Sequence, residues 1–191
     1  RVQERELLLK KRTRHSRKET ASDGVAAIEF VLVLPVLITL FIMVANLSQY
    51  ITMNRRLAIA ANLVTDLVTR NKTLTGTDIT DYFAAAVLSL RPADTSRLRV
   101  DVYNFRQSTG ITGWTKSTTT GTACTPPVST KYTDLLATTD VIVTVVCMPF
   151  VPPMNSAFLG QNFYTIFPPL RQEVVMRPRQ TVALNCTANC P

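Results

Sequence analysis

The stretch Ala21-Ser22-Asp23-Gly24-Val25-Ala26-Ala27-Ile28-Glu29-Phe30 marks an abrupt change from polar to apolar sequence. Lysine and arginine stop before Gly24, and an apolar run begins directly after it, interrupted once by Glu29. No charged residue occurs from Phe30 to Asn54, which is about 37 Å of helix at a rise of ~1.5 Å per residue. The hydrocarbon core of a bilayer is roughly 30 Å thick. This stretch therefore predicts a helix that crosses a membrane.

The basic charge of the chain is concentrated in front of this helix. Residues 1–24 hold eight Lys or Arg against four acids, out of a formal net charge of +8 for the whole chain. Cytoplasmic segments beside membrane helices are enriched in Lys and Arg, so we expect a cytoplasmic leader over 1–24 and a non-cytoplasmic location after about residue 50. Topology accounts for the basic tail, and the body lacks a basic stripe with stacking aromatics, so no nucleic-acid partner is predicted.

The helical period continues beyond the uncharged stretch and predicts one helix from about Val25 to Arg70. Pro35 lies inside it, and we expect a bend there rather than a break. The outer third of the helix is amphipathic, which predicts packing against a domain. Its apolar face comprises Leu57, Ala60, Ala61, Val64, Leu67 and Val68, and its polar face Arg55, Arg56, Asn62, Thr65, Asp66 and Thr69.

Residues 71–191 are predicted to form a small α+β domain. After a linker over 71–77, Asp78 is the expected N-cap of a short helix that Pro92 ends. Alternation over 98–103 predicts a half-exposed strand, and the β-branched run Val141–Met148 predicts a central one. Residues 107–130 are expected to form an irregular loop over a packed Trp114, and a last strand pair is expected around 171–177 and 179–184. The predicted fold is a long N-terminal helix packed on a small antiparallel sheet, with charges of Arg177 and Arg179 at a strand edge.

The four cysteines, Cys124, Cys147, Cys186 and Cys190, all fall in the part predicted to lie outside the cytoplasm. An even number of cysteines in an oxidising compartment indicates two disulfides, for which three connectivities are possible. Cys186 and Cys190 can close on each other locally, which leaves Cys124 to pair with Cys147. A zinc site would need further thiolates or histidines, and the only histidine is His15, so neither a metal nor a cofactor is predicted.

The junction resembles the start of the TadE-like minor pilins of tight-adherence (Tad, or Flp) pilus systems. The resemblance rests on Gly24-Val25-Ala26-Ala27-Ile28-Glu29-Phe30 followed by Val31-Leu32-Val33-Leu34-Pro35. It extends to the C-terminal third, in Val141–Val146, Met148-Pro149-Phe150 and Met176-Arg177-Pro178-Arg179. It hardly covers residues 71–135.

The resemblance implies a pilin-like fold and a specific processing route. A prepilin peptidase of the inner membrane would cut between Gly24 and Val25, and Glu29 would be the carboxylate used in assembly. The product would be a low-abundance pilus or pseudopilus subunit of the bacterial inner membrane, with its domain in the periplasm or the extracellular pilus. Its implied partners are other minor pilins, the major Flp pilin, the inner-membrane assembly platform and membrane lipids.

Two other functions are possible for such a sequence. The first is a membrane-anchored periplasmic binding or adhesion module that is never assembled into a pilus. The second is an anchored enzyme. The composition of residues 25–191 argues against it, because they contain no histidine and only nine carboxylates. With its cysteines oxidised, a nucleophile and base are hard to assemble, so the sequence predicts a protein that is not an enzyme.

Overall fold

The computed structural model describes residues 2–71, 73–91, 94–107, 111–152, 167–179 and 185–188. Within these ranges, the side chains of residues 2–24, 26, 185, 187 and 188 are not described. The chain divides into two units, Arg1–Leu47 and Ser48–Pro191. The first unit is helical throughout its described part, and the second contains helices and strands, so the α+β class predicted from the sequence is confirmed.

Helix α1 (Val2–Arg70) begins well before Val25, where the sequence predicted its start. The leader is rich in Glu, Lys, Arg and Leu, which are good helix formers, and Gly24 alone costs a helix only about 1 kcal/mol. Pro35 lies inside α1 without ending it, so the prediction that the helix does not break there is confirmed.

The last part of α1 belongs to the second unit and buries one face. The prediction of an amphipathic outer third is confirmed, with one correction at the edges of its apolar face. Thr65 and Thr69, predicted to be polar-face residues, are buried, whereas Leu67 is half-buried. The threonines can be buried because the Thr65 hydroxyl donates to the carbonyl of Ala61 (2.6 Å) and the Thr69 hydroxyl to that of Asp66 (3.1 Å). The fully buried residues are Leu57, Ala60, Ala61, Val64, Thr65 and Val68.

A short strand, β1 (Thr73–Thr75), and helix α2 (Gly76–Ser89) follow. The N-cap of α2 is Thr75 and not Asp78. The hydroxyl of Thr75 accepts a hydrogen bond from the Asp78 N–H (3.2 Å), and the Asp78 carboxylate accepts one from the Thr75 N–H (2.9 Å). Asp78 therefore closes a capping box from the third helical position, and these bonds from Thr75 lower the pKa of its carboxyl.

Four strands form an antiparallel sheet in the order β3-β2-β4-β5. They are β2 (Arg99–Phe105), β3 (Thr112–Ser117), β4 (Val141–Met148) and β5 (Leu170–Met176). The central position predicted for Val141–Met148 is confirmed. The prediction of an irregular loop over 107–130 is wrong at β3, where cross-strand pairing with β2 overrides the turn-forming composition. A short 3₁₀ turn (Ser129–Tyr132) and helix α3 (Thr133–Leu136) lie between β3 and β4.

The two central strands, β2 and β4, are largely buried on both faces, so the half-exposed character predicted for the strand over 98–103 is wrong. Each face of the sheet has its own core. One face packs with α1 and α2 through residues that include Val100, Val102, Ile142 and Val146, together with Leu57 and Phe83 from the helices. Trp114, which is 7% exposed, lies in this core, so its predicted packed position is confirmed. The opposite face contains Phe105, Cys124, Tyr132, Leu136, Val141, Val143 and Val145.

The end of the described chain returns to α1 and β1. Strand β6 (Asn185–Ala188) pairs in parallel with β1 in a separate two-stranded sheet that the sequence did not predict. Arg179, the first residue of the strand predicted over 179–184, is not in a strand, and residues 180–184 lie outside the described residues. Arg179 is held by Asp66 (3.1 Å) and by the Thr69 carbonyl (3.2 Å), so it contacts α1 rather than guarding a strand edge.

Candidate membrane and assembly segment

Apart from Glu29 and Thr39, the first unit presents apolar side chains on all sides of α1 between Val25 and Val44. Among the helices that the structure describes, one is long and apolar enough to cross a membrane, with an 18-residue window of mean hydropathy 2.7 that has no buried residue. A helix that is apolar all round is stable only when a core or lipid surrounds it. The large exposed apolar residues are Val25, Ile28, Phe30, Val31, Leu32, Val33, Leu34, Val36, Leu37, Ile38, Leu40, Phe41, Met43, Val44 and Leu47.

Gly24, Val25 and Glu29 lie at the start of this apolar segment, inside α1. Val25 is 57% exposed, and Glu29 is exposed as well. Residues four apart stand on the same side of a helix, about 6 Å along its axis. The helix therefore places the Glu29 carboxylate one turn from the backbone nitrogen of Val25, which would become a free amine if the chain were cut after Gly24.

The predicted disulfide between Cys124 and Cys147 is present, with the two Cα atoms 6.0 Å apart. It links the segment that follows β3 to the end of β4. Cys186 is also disulfide-bonded, whereas Cys190 lies outside the described residues. The Cys186–Cys190 pairing therefore stays a prediction.

A hydrogen-bonded cluster that sequence analysis missed holds the segment between β3 and β4 to β5. We call this cluster the clasp. The Tyr132 hydroxyl donates to the Glu173 carboxylate, and Arg171 donates to that carboxylate (2.6 Å) and to the Thr125 carbonyl (3.2 Å). Tyr132 and Glu173 are 41 positions apart. No local pattern marks such a pair, because both residue types are common on exposed surfaces.

The clasp shifts the pKa values of its two central groups in opposite directions. Burial, followed by the hydrogen bond to Glu173, raises the pKa of the Tyr132 phenol. Burial raises the pKa of the Glu173 carboxyl, but hydrogen bonds from Tyr132 and Arg171 and the charges of Arg171 and Lys131 lower it overall. A neutral phenol and an ionised carboxylate are thus the forms that the folded unit favours near neutral pH.

The contacts of these groups hold the segment between β3 and β4 to β5. In the part of the chain that the structure describes, no three His, Cys, Asp or Glu side chains come together as a metal site requires. In the Tyr132–Glu173–Arg171 cluster, Tyr132 belongs to the core of the opposite face, Glu173 is half-buried and Arg171 is exposed. Among the residues that the structure describes, the longest run of exposed apolar side chains is in the apolar segment of α1.

Residues 24–64 match the family model described as TadE-like protein. The match begins at Gly24 and covers the junction, the apolar segment and most of the buried stripe of α1. It confirms the resemblance predicted from the junction, and the resemblance of the last third of the chain stays a prediction. No curated protein and no solved structure matches this chain.

Proposed function

We propose that this chain is a minor pilin or pseudopilin of a Tad-type pilus, processed by prepilin peptidase and acting in pilus assembly and surface adhesion. The observation that carries the proposal is the TadE-like match, which starts at Gly24 and runs through the exposed apolar part of α1. In this proposal, residues 1–24 are a cytoplasmic leader, the apolar segment crosses the inner membrane, and the folded unit lies in the periplasm. The role is non-enzymatic.

Cleavage between Gly24 and Val25 is the first step of this function. Glycine has no side chain to obstruct the bond that is cut, and the apolar helix follows at once. We expect mass spectrometry of the protein from its membrane fraction to find Val25 as the first residue. Gly24→Leu should leave uncleaved precursor, whereas Ser22→Leu, which adds the same bulk two residues upstream, should be processed. A first residue upstream of Gly24 or beyond residue 44 in the unaltered protein would refute this step.

Glu29 becomes important after cleavage. The new amine of Val25 lies one turn from the Glu29 carboxylate, and near the headgroups both charges stay solvated. When helices pack side by side in a fibre, both groups leave water, and an unpaired buried charge then costs several kcal/mol. A close amine–carboxylate pair, within one chain or between neighbours, recovers much of that cost. A pair between neighbours would also set the axial register of the subunits.

Glu29→Gln tests this role because it keeps the shape of the side chain and removes its charge. We expect the variant to insert and to be cleaved, but not to co-purify with other minor pilins, the major Flp pilin or the assembly platform. Asp23→Asn is the matched control, since it removes a carboxylate that cleavage discards. Normal assembly of Glu29→Gln would refute the role in assembly, and loss of its cleavage would assign Glu29 to recognition by the peptidase.

The second candidate is a membrane-anchored periplasmic binding or adhesion module that is not assembled. It is favoured by the extent of the folded unit, which starts at Ser48 and has two cores and the Cys124–Cys147 disulfide. Such a unit is stable without neighbouring subunits. An uncleaved N-terminus, together with protein that stays in the membrane and never co-purifies with pilus subunits, would support this candidate over the first.

A further inference from the structure

The Cys124–Cys147 disulfide is attached to the sheet between two arginines. Cys147 of β4 pairs with Arg99 of β2 on one side and with Arg171 of β5 on the other. Residues that pair directly across antiparallel strands have side chains on the same face, with Cβ atoms about 4.5–5.5 Å apart. Cys147 is therefore flanked by an arginine from each neighbouring strand, and we call these three residues the cysteine row.

The carboxylates that bind these arginines lie one row further along the same face. Asp101 and Glu173 both pair with Val145, two residues before the cysteine on β4. Each carboxylate accepts a bond from the arginine two positions before it, at 2.7 Å and 2.6 Å. Diagonal neighbours in a sheet are about 7–8 Å apart. The cations are thus in the row of the sulfur and the anions in the next one, and nearby positive charge favours a cysteine thiolate over the thiol.

The other ionisable groups near this face do not reverse that balance. In the segment between β3 and β4, Lys131 adds a positive charge that acts on the carboxylate of the next row. The acids of that segment are Asp134, which is exposed in α3, and Asp140, which accepts a bond from the backbone that follows the far end of β2. The phenols of Tyr103 and Tyr132 have raised pKa values and are neutral near pH 7.

The segment that carries Cys124 is held on the cysteine row by bonds that do not involve sulfur. The Thr118 N–H donates to the Val100 carbonyl (2.9 Å). The two flanking arginines donate to the carbonyls of Thr118 and Thr125, the latter at 3.2 Å. The clasp fixes the same segment further along the chain. These bonds keep the two sulfurs close when both are reduced, and such proximity accelerates a reaction between them.

The two cysteines differ in exposure. Cys124 is 7% exposed and belongs to the core of this face, whereas Cys147 is half-buried near the end of β4. Reaction of a cysteine with an external disulfide requires a thiolate that the reagent can reach. Cys147 meets both requirements better than Cys124 does.

We propose that Cys147 is the thiol through which this disulfide is formed: it reacts first with an external disulfide, promoted by the two flanking arginines, and Cys124 then completes the bond. The partner is a disulfide oxidant, either a small molecule or a protein with an oxidised cysteine pair. The inference concerns the folded unit alone and goes beyond the proposed function. It does not depend on cleavage at Gly24 or on a role in a pilus.

The two steps are thiol–disulfide exchanges in which atoms and electrons balance. The Cys147 thiol loses its proton to water, and the thiolate attacks one sulfur of the external disulfide and releases the other as a thiolate. The Cys124 thiolate then attacks Sγ of Cys147, forms the protein disulfide and releases the second external thiolate. Two protein thiols are oxidised, and one external disulfide is reduced to two thiols.

Trapping on the unaltered full chain identifies the sulfur that reacts first. The protein is reduced in detergent micelles, mixed with oxidised glutathione at pH 7 and quenched with acid, and peptide mapping by mass spectrometry locates the glutathione. We expect it on Cys147 at early times and not on Cys124. Early glutathione on Cys124, or equal amounts on both, would overturn the proposal.

Single-cysteine variants measure the two rates separately. Cys124→Ala leaves the Cys147 thiol and Cys147→Ala leaves the Cys124 thiol, while the disulfide of Cys186 stays oxidised. The rate of each folded variant with oxidised glutathione is divided by its rate in urea, and Trp114 emission reports folding. We expect this ratio to be larger for the Cys147 thiol by about tenfold. A ratio that is equal for the two thiols, or larger for Cys124, would refute the proposal.

Substitution of Arg171 in the Cys124→Ala variant separates charge from packing. Arg171→Gln removes a flanking charge and should slow the reaction several-fold, whereas merely loosening the segment would expose Cys147 and speed it. Arg171→Lys keeps the charge and should react almost as fast as the parent. Arg55→Gln is the control, because Arg55 is exposed on α1, which packs on the other face of the sheet. If Arg171→Gln is not slower than Arg171→Lys, the arginines do not promote the reaction and the proposal fails.

Discussion

Two segments of α1 differ in which of their side chains are exposed and which are buried. From Val25 to Val44, apart from Glu29 and Thr39, α1 is apolar around its whole circumference and exposes most of those side chains. From Leu57 to Val68, it buries a narrow stripe and exposes Ile59 and Asn62, and Arg55 and Arg70 on either side of this range are exposed. Helix propensity does not explain the contrast, because it does not determine which side chains of a helix are exposed. The contrast shows that the side chains of the two segments are suited to different surroundings.

Each segment should therefore respond to a different kind of change. The stripe from Leu57 to Val68 is held by close packing with α2 and the sheet, so it is sensitive to the volume of a side chain. The segment from Val25 to Leu47 has no such packing in its own unit, so it is sensitive to polarity and insensitive to volume. This difference can be measured with Trp114, which is the only tryptophan of the chain and a core residue, and is therefore a fluorescent reporter for the folded unit.

The largest expected effect comes from Leu57→Ala. Leu57 is fully buried in the core that also contains Trp114, and a buried leucine truncated to alanine costs about 2–5 kcal/mol because a cavity remains. Leu40→Ala is the matched control, since Leu40 is 61% exposed. Urea unfolding in detergent micelles, followed by Trp114 emission, should show a lower midpoint for Leu57→Ala alone. Equal midpoints for the two variants would contradict the division of α1 into two kinds of segment.

Loss of the Cys124–Cys147 disulfide should destabilise the folded unit and leave the apolar segment unaffected. The sequence separation of the two cysteines is 23, and closing such a loop contributes about 3 kcal/mol in the chain-entropy model. We expect the double variant Cys124→Ala/Cys147→Ala to lower the urea midpoint but to insert normally, as judged by resistance to carbonate extraction. An extractable double variant would show that insertion depends on the folded unit.

The clasp of Tyr132 with Glu173 predicts a pH dependence of the folded unit. The folded pKa of Glu173 lies below its ordinary value of 4.5. The ionised carboxylate therefore stabilises the folded unit above about pH 4.5, and this stabilisation is lost as the pH falls through the lowered pKa. The raised pKa of Tyr132 has the opposite consequence, since stability is lost as the pH rises above its ordinary value of 10.0. Stability should therefore decline at both ends of the pH range.

Tyr132→Phe should lower stability by about 1–2 kcal/mol at neutral pH, because it removes a hydrogen bond to a charged group. It should also weaken the decline at both ends of the pH range. Tyr103→Phe, on the same face of the sheet, keeps the clasp and is the control for the decline at low pH, whereas at high pH it also removes a phenol whose pKa is raised by burial. Unfolding of both variants between pH 3 and 11 measures the difference, and an unchanged pH profile for Tyr132→Phe would rule out the clasp as its source.

The smallest expected effect is that of Arg179→Ala. Arg179 and Arg70 both pair with Asp66 at the end of α1, but the two arginine side chains are 61% and 56% exposed. Exposed ion pairs contribute at most about 1 kcal/mol and are screened by salt. We expect a small loss of stability in low salt that disappears in 1 M NaCl. Because Arg179→Ala keeps the backbone N–H that donates to the Thr69 carbonyl, a loss that persists in high salt would show that the packing of the Arg179 side chain matters more than its charge.

Local patterns in the sequence were sufficient to predict the secondary-structure elements with strong hydrophobic periodicity. The uncharged run after Gly24 predicted the apolar helix, the stripe from Leu57 to Val68 predicted its packed end, and the run Val141–Met148 predicted the central strand. Each pattern reports an environment that the residues themselves require. The position of Trp114 in the core and the pairing of Cys124 with Cys147 were also predicted correctly.

Only the tertiary structure decided the features that depend on distant residues. Strand β3 has a polar, turn-like composition and becomes a strand because β2 offers it a pairing edge, and β1 needs β6, more than 100 residues later. The clasp of Tyr132 with Glu173 and the ring contacts of Tyr50 with Phe150 and Phe167 also join residues far apart in sequence. The reason is physical: hydrophobic periodicity is a property of one segment, whereas a hydrogen bond or a ring contact belongs to two segments that meet only after the chain has folded.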